Sequence, residues 1–490
     1  MDLFRTKPVE HLGDKDTADH APVGHLRRQL SARHLVGFGI GVVIGTGIFT
    51  LTGVAARETA GPAVVVSFAL AGVVALLAAF CYAELAASAP TAGSAYSYAY
   101  ATAGELVAWV IGWDLFLEFA LGAAVVARGW SGYVGNLLDL PPSLFGEEST
   151  VNLGAALVVL VLTVVAALGI RESARVTAAL VVIKVAICVF IVVAGVWFVR
   201  GANLTPFVPP GRPAEESGGL AQPVIQAFFD LEPAVFGVGG VLTAAAVVFF
   251  AYTGFEAVAN LSEETRRPGR DLPLGLLGTL GLSTALYIGV SFVVVGMVNY
   301  TRLDPGAPLA DAFDQVGLRW AGALIALAAV AGLTSVILVD LITVSRIGFA
   351  MGRDGLLPPA VARVSRRTGT PLRTTLLFAA LVLVMATFVP LGALADLVSI
   401  GTLFAFLLVS AAVPVLRRTR PELHRPFRVP ASPLLPVVSA LACLYLMLNL
   451  SIETWLRFLA WLALGLLVYA VYGYRNSLLG ARGAASRDAA

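Results

Sequence analysis

One stretch, RHLVGFGIGVVIGTGIFTLTGVAARE from Arg33 to Glu58, constrains this chain more than any other. It is long enough to cross a bilayer and carries no charge between His34 and Arg57. Yet six glycines interrupt it (Gly37, Gly39, Gly41, Gly45, Gly47 and Gly53). Each costs about 1 kcal/mol against alanine in a helix interior. Gly45-Thr46-Gly47 lies about 12 residues past Arg33, which at 1.5 Å per residue is about 18 Å deep, near a bilayer midplane. A break at that depth frees backbone groups that hydrocarbon cannot satisfy, so it is tolerated only where it lines a cavity. A half-helix starting just after Gly47 would aim its positive end at an anionic group such as a carboxylate. The spacing Gly37-x3-Gly41-x3-Gly45 also reads as a small-residue ridge for close helix packing, which is compatible with a break.

The rest of the chain has the same character. Of its 490 residues, 58% are hydrophobic and 13% charged; mean hydropathy is +0.85. That charged fraction is about half the soluble norm, which points to a polytopic membrane protein. Twelve apolar spans are expected, at about 33–57, 62–89, 104–135, 151–169, 173–199, 237–262, 272–298, 318–350, 372–389, 393–416, 433–451 and 454–474. With the N-terminus inside, about 24 of the 33 Lys and Arg fall in inner segments and about six in outer ones, which sets the orientation. The expected layout is a cytoplasmic tail over 1–32, one transporter domain over 33–476 and a cytoplasmic tail over 477–490. No signal peptide is read before the first span. The three cysteines, Cys81, Cys188 and Cys443, lie in apolar runs and form no metal or disulfide pattern.

A second break is expected in the sixth span, at Ala251-Tyr252-Thr253-Gly254, again about 15 Å deep. Interrupted spans five apart and running in opposite directions mark a five-plus-five inverted repeat, about 33–199 and 237–416, with two further helices over 433–474. Charges inside spans are functional candidates because each costs several kcal/mol unless paired or neutral. Lys184 is a candidate proton carrier. Glu118 and Asp340 are candidates to receive a cationic side chain or second amine, with Asp114 a further polar contact. Glu256 reads as a brace for the second break, and Arg128 as structural. The aromatics Phe249, Phe250, Tyr252 and Phe255 surround that break, where one of them would cover a bound solute or all would face lipid.

Several motifs together are similar to the amino acid–polyamine–organocation superfamily. GIGVVIGTGIFTLTG resembles its first-span signature, and CYAELAASAPTAGSAYSYAY the next. IGWDLFLEFALGAAVVARGWSGY, YTGFEAVANLSEETRRPGRDLP, RDGLLP and SIGTL resemble the cationic amino acid transporters and their bacterial relatives. The resemblance implies an all-α, LeuT-type fold of twelve helices with helices 1 and 6 discontinuous. It places the substrate carboxylate on backbone amides around Gly45, Thr46 and Gly47, flanked by Ile44 and Ile48. It places the α-amine on carbonyls near Phe250, Ala251 and Thr253; Tyr252 and Phe255 join the candidate site as aromatics of the second break. Lys184 matches a span-5 lysine that replaces a sodium ion, with Thr334 and Ser335 facing it. Glu118 matches the acidic position of span 3. Asp340 departs from the small or apolar residue expected there.

These readings combine into a proton-coupled amino acid permease of the plasma membrane, working by alternating access and favouring cationic amino acids. The alternatives are a neutral amino acid permease, an exchanger of amino acids or polyamines and, remotely, a membrane sensor. The expected partners are an amino acid, protons and lipid. No cofactor, metal or nucleic acid is expected, and no nucleophile or metal-ligand motif suggests an enzyme.

Overall fold

The structure, a computed structural model, describes residues 30–88, 96, 99–100, 104–147, 149–169, 174–213, 219–230, 234–365 and 370–479. Most of both expected tails lies outside the described residues, as does much of the SAPTAGSAYSYAY segment. Among the described residues eight helices are long and apolar enough to cross a membrane, and four shorter apolar helices accompany them. Helices dominate because a buried apolar run can satisfy its own backbone only by coiling or by closing a barrel.

The first expected span is broken. Helix α1 (Ala32–Val43) ends where Ile44 and Gly45 turn extended, and α2 (Thr46–Phe49) begins immediately, followed by α3 (Leu51–Ala55). The second half thus starts at Thr46, one residue before Gly47 rather than just after it. Helices α4 (Val64–Ser88), α5 (Glu105–Leu138), α6 (Leu153–Ala167) and α7 (Ala174–Gly195) follow. A two-residue antiparallel ladder, Arg212–Pro213 against Ala234–Val235, fastens the long connection after α7.

The sixth span is broken too. Helix α8 (Gly237–Val248) tightens into a 3-10 turn over Phe249–Tyr252. Thr253 is extended, Gly254 takes φ +90, and a second 3-10 segment runs from Phe255 to Glu264. Only glycine adopts such a φ without strain, so Gly254 fixes where this helix ends. Helices α9 (Pro268–Met297), α10 (Arg319–Arg353), α11 (Leu372–Phe388), α12 (Leu391–Thr419), α13 (Leu434–Leu448) and α14 (Ile452–Val468) complete the chain.

Packing sorts these helices into two groups. Helix α9 packs on α1 and α4, and α4 on α8, while α5 packs on α10, α6, α11 and α12. Helix α7 touches α1, α9 and α10, and α12 reaches both groups. The proposed small-residue ridge on α1 is only partly realised. Gly37 meets nothing within 4 Å, and a methyl on Gly45 would make ordinary contact with Val336 at 3.8 Å. Gly41 and Gly39 are the tight ones, against Val181 of α7 at 2.4 Å and Thr279 of α9 at 2.3 Å.

Candidate functional site

The two breaks touch. A Cβ on Gly47 would sit 2.3 Å from Ala251 Cα, so no other residue lets the two segments come this close. Tyr287 of α9 ties them together, its single hydroxyl proton shared between Val43 O at 2.8 Å and Ala251 O at 3.0 Å. Beside this junction lies a small, partly open cavity. The first break contributes Val42, Val43, Gly45, Thr46 and Gly47, and the second Phe250, Thr253 and Gly254. Helix α5 contributes Glu118, Phe119, Gly122 and Val126, and α10 contributes Val336 and Asp340.

The polar groups are few and poorly satisfied. Thr46 is fully buried, and its Oγ1 has no hydrogen-bond partner. The first-turn amides of a helix have no intrahelical acceptor, so those of Thr46, Gly47 and Ile48 present a positive pole beside the cavity. Glu118 is 4% exposed, and its Oε1 has no partner. The Glu118 and Glu256 carboxyls approach one another. Glu256 braces the break, accepting Gly254 N on both oxygens at 3.1 Å. Asp340 faces α5, its Oδ2 lying 3.5 Å from where a Cβ on Gly122 would be.

Other expected residues lie near this cavity without lining it. Ile44 and Ile48 are buried in the packing around the break. Tyr252 turns toward α4 and donates to Phe68 O at 2.8 Å. Phe255 packs on Tyr82 and Phe406, and Phe249 also packs on Phe406, so that of these four aromatics it is Phe250 that lines the cavity, alongside Phe119 of α5. The Phe250 carbonyl already accepts Thr253 N at 3.1 Å and Thr253 Oγ1 at 2.9 Å, which fills its two lone pairs. The Ala251 carbonyl retains one. Sequence reasoning missed Val42, Val43, Phe119, Gly122, Val126, Val336 and Gly254 as wall residues.

Lys184 is 1% exposed, and its Nζ donates to Gly41 O at 2.8 Å, in the last turn of α1. A Cβ on Gly332 would come within 2.8 Å of Lys184 Cε, so glycine there makes room for the lysine stem. Lys184 and Ser335 line a second small, partly open cavity, which shares Val42 and Val336 with the first. Thr334 does not face the lysine. Its hydroxyl donates to Val330 O at 2.7 Å and receives Trp130 Nε1 at 2.9 Å, because one residue of helix turns it toward α5. Arg128 donates to four backbone carbonyls, those of Ala386, Glu147, Ser149 and Thr387, and so ties α5 to the loop before α6 and to the end of α11. Among the described residues no cluster of His, Cys, Asp and Glu suits a metal ion.

A family model described as "Amino acid permease" matches residues 30–470. A methylthioribose transporter of Bacillus subtilis is 42% identical over 487 residues, 97% of this chain and 99% of the relative. A branched-chain amino acid permease of the same organism is 38% identical over 490 residues, with the same coverage. The vacuolar cationic amino acid transporter 4 of Arabidopsis thaliana is 39% identical over 431 residues, 86% of this chain and 68% of the relative.

Proposed function

The chain belongs to the amino acid permease family, and from that premise we propose that it is a proton-coupled amino acid permease of the plasma membrane that favours cationic amino acids. It is an integral membrane protein, since the family match spans its apolar helices. The cavity at the meeting point of two broken helices carries the reading. In it the substrate carboxylate takes the amides of Thr46, Gly47 and Ile48 and the free Thr46 hydroxyl. The α-amine takes the negative end of α1 at Val42 and the carbonyls of Ala251 and Thr253. A second amine on the side chain takes Glu118 and Asp340.

The reading includes a LeuT-type arrangement of twelve spans over 33–476. It is supported by breaks five spans apart and by the sorting of α1, α4, α8 and α9 into one packed group. Rocking of that group against α5, α6, α10 and α11 gives alternating access. Lys184 carries the coupled proton. When charged it holds the Gly41 carbonyl, and when neutral it releases α1. The lysine and arginine rich segments face the cytoplasm, with both termini there.

Uptake of lysine, arginine, alanine and leucine into proteoliposomes under an imposed pH gradient tests this. Gradient-driven uptake with lysine and arginine ahead is expected. Uptake indifferent to the gradient overturns the coupling. One observation favours a second reading. Most of the wall is apolar (Val42, Val43, Phe119, Val126, Phe250 and Val336), and one relative is named for branched-chain amino acids. Leucine transported ahead of lysine selects that reading, with Glu118 and Asp340 neutral.

A further inference from the structure

Asp114 lies one turn from Glu118 on α5, toward the Glu105 end of that helix. It is 0% exposed, and neither carboxyl oxygen has a hydrogen-bond partner. The opposing surface is α12. There a Cβ on Gly401 would come within 2.8 Å of Asp114 Oδ1, so glycine admits the carboxyl. The next residue, Thr402, is also fully buried with its Oγ1 unpartnered. Its hydroxyl approaches Glu118 without completing a hydrogen bond. Asp114 and Thr402 thus each adjoin Glu118, which places three groups with unsatisfied buried oxygens between the helix packing and the cavity.

Among the described residues no neighbouring element is seen to offer Asp114 a counter-charge: Arg373 of α11 is exposed, and Arg457 of α14 is exposed and paired with Glu453. Along α5 it meets Glu118, and behind that Glu256. The charged residues of α12 are Asp396, Arg417 and Arg418, all more than a turn from Gly401. On α10, Asp340 belongs to the cavity and Arg346 is exposed. Helix α6 has no charged residue. Buried acids elsewhere are held: Glu105 accepts the hydroxyls of Tyr100, Tyr469 and Ser477. An unpartnered carboxylate away from water is expensive, whereas the neutral acid is not.

We propose that Asp114 is a second proton-handling group, which exchanges a proton with the cavity through Thr402 and Glu118 along a path separate from Lys184; this rests on the proton-coupled reading. A proton from water on the entry side adds to the Asp114 carboxylate while the transporter is open there. It returns to water on the other side after the cavity has switched, and no bond to the substrate changes.

Asp114→Asn keeps the shape and removes the titration. Proton flux and substrate flux are measured together in proteoliposomes, with counterflow at equal pH as the control. Asp114→Asn is expected to lose about tenfold or more of gradient-driven uptake while keeping counterflow, because exchange needs no net proton. Asp114→Glu restores the coupling. Thr402→Val retains the acid and slows gradient-driven uptake alone, which keeps the proposal testable if Asp114→Asn folds poorly. A coupled parent whose Asp114→Asn and Thr402→Val variants keep its proton-to-substrate ratio and pH profile overturns this inference and leaves the proposed function standing. An uncoupled parent overturns both.

Discussion

Two glutamates, Glu84 and Glu118, are equally hidden and differently treated, at 2% and 4% exposure. Glu84, near the Ser88 end of α4, accepts Arg417 Nε at 2.9 Å, Arg417 Nη2 at 2.5 Å and Val429 N at 2.6 Å. Arg425 Nε lies 3.6 Å away. This carboxylate is saturated, and it clasps the end of α12 and the loop beyond it to α4. Glu118 has another carboxyl for a neighbour and an oxygen with no donor. Burial alone therefore does not mark function in this protein. Burial without satisfaction is the feature on which the role proposed for Glu118 rests, because a fold gains nothing from leaving such a group unpaired.

The contrast predicts opposite phenotypes. The largest effect on stability is expected at Glu84→Ala, which strands two arginines. A loss of about 3 kcal/mol is expected in thermal or denaturant unfolding, with uptake per folded molecule retained. Normal stability with abolished uptake would break the comparison. Glu118→Gln should do the reverse, lowering lysine uptake by about tenfold or more with stability changed by under about 1 kcal/mol. Lys184→Ala should flatten the pH dependence of uptake, and a variant that keeps the parental pH profile removes the proton-carrier role. Asp340→Ser should reduce lysine and arginine transport relative to alanine by about fivefold, in competition assays. An unchanged ratio removes the carboxylate from the side-chain pocket.

The smallest effect is expected in the loop after α5. Burial pushes the Glu147 carboxyl up from 4.5 to about 7, against the opposing pull of Arg128 and of Leu391 N. The folded protein thus holds this proton where the unfolded chain releases it. Stability associated with Glu147 is full below about 4.5 and falls as pH rises toward about 7. Glu147→Gln should remove that part of the slope in unfolding temperature between these pH values. A slope identical to the parent's contradicts the assignment.

The positions of both breaks were legible within a residue or two, because glycine is the one residue whose helix cost and φ freedom show in sequence. Gly254 at φ +90 is the clearest case. The role of Gly47 was less legible. Its value lies in contact with Ala251, a partner about two hundred residues away that no local pattern reports. The same limit hid the apolar walls. Val126 and Val336 look like any other valine of a membrane helix until α5 and α10 are placed together. Tyr252 and Phe255 were assigned to the cavity by proximity in sequence, yet helix geometry turns them to α4 and α12. Charged residues in apolar runs were the most legible, but their partners were not. Lys184, for one, donates to the Gly41 carbonyl of α1, a partner that no sequence pattern reports.

The central claim is that a zwitterion binds between the two breaks. A structure determined with arginine bound tests it most directly. The account predicts the ligand in the cavity beside Gly47, its carboxylate on the amides of Thr46 to Ile48 and its guanidinium toward Glu118 and Asp340. Arginine held elsewhere, or continuous helices across Ile44–Gly45 and Thr253–Gly254 with no ligand between them, would contradict it.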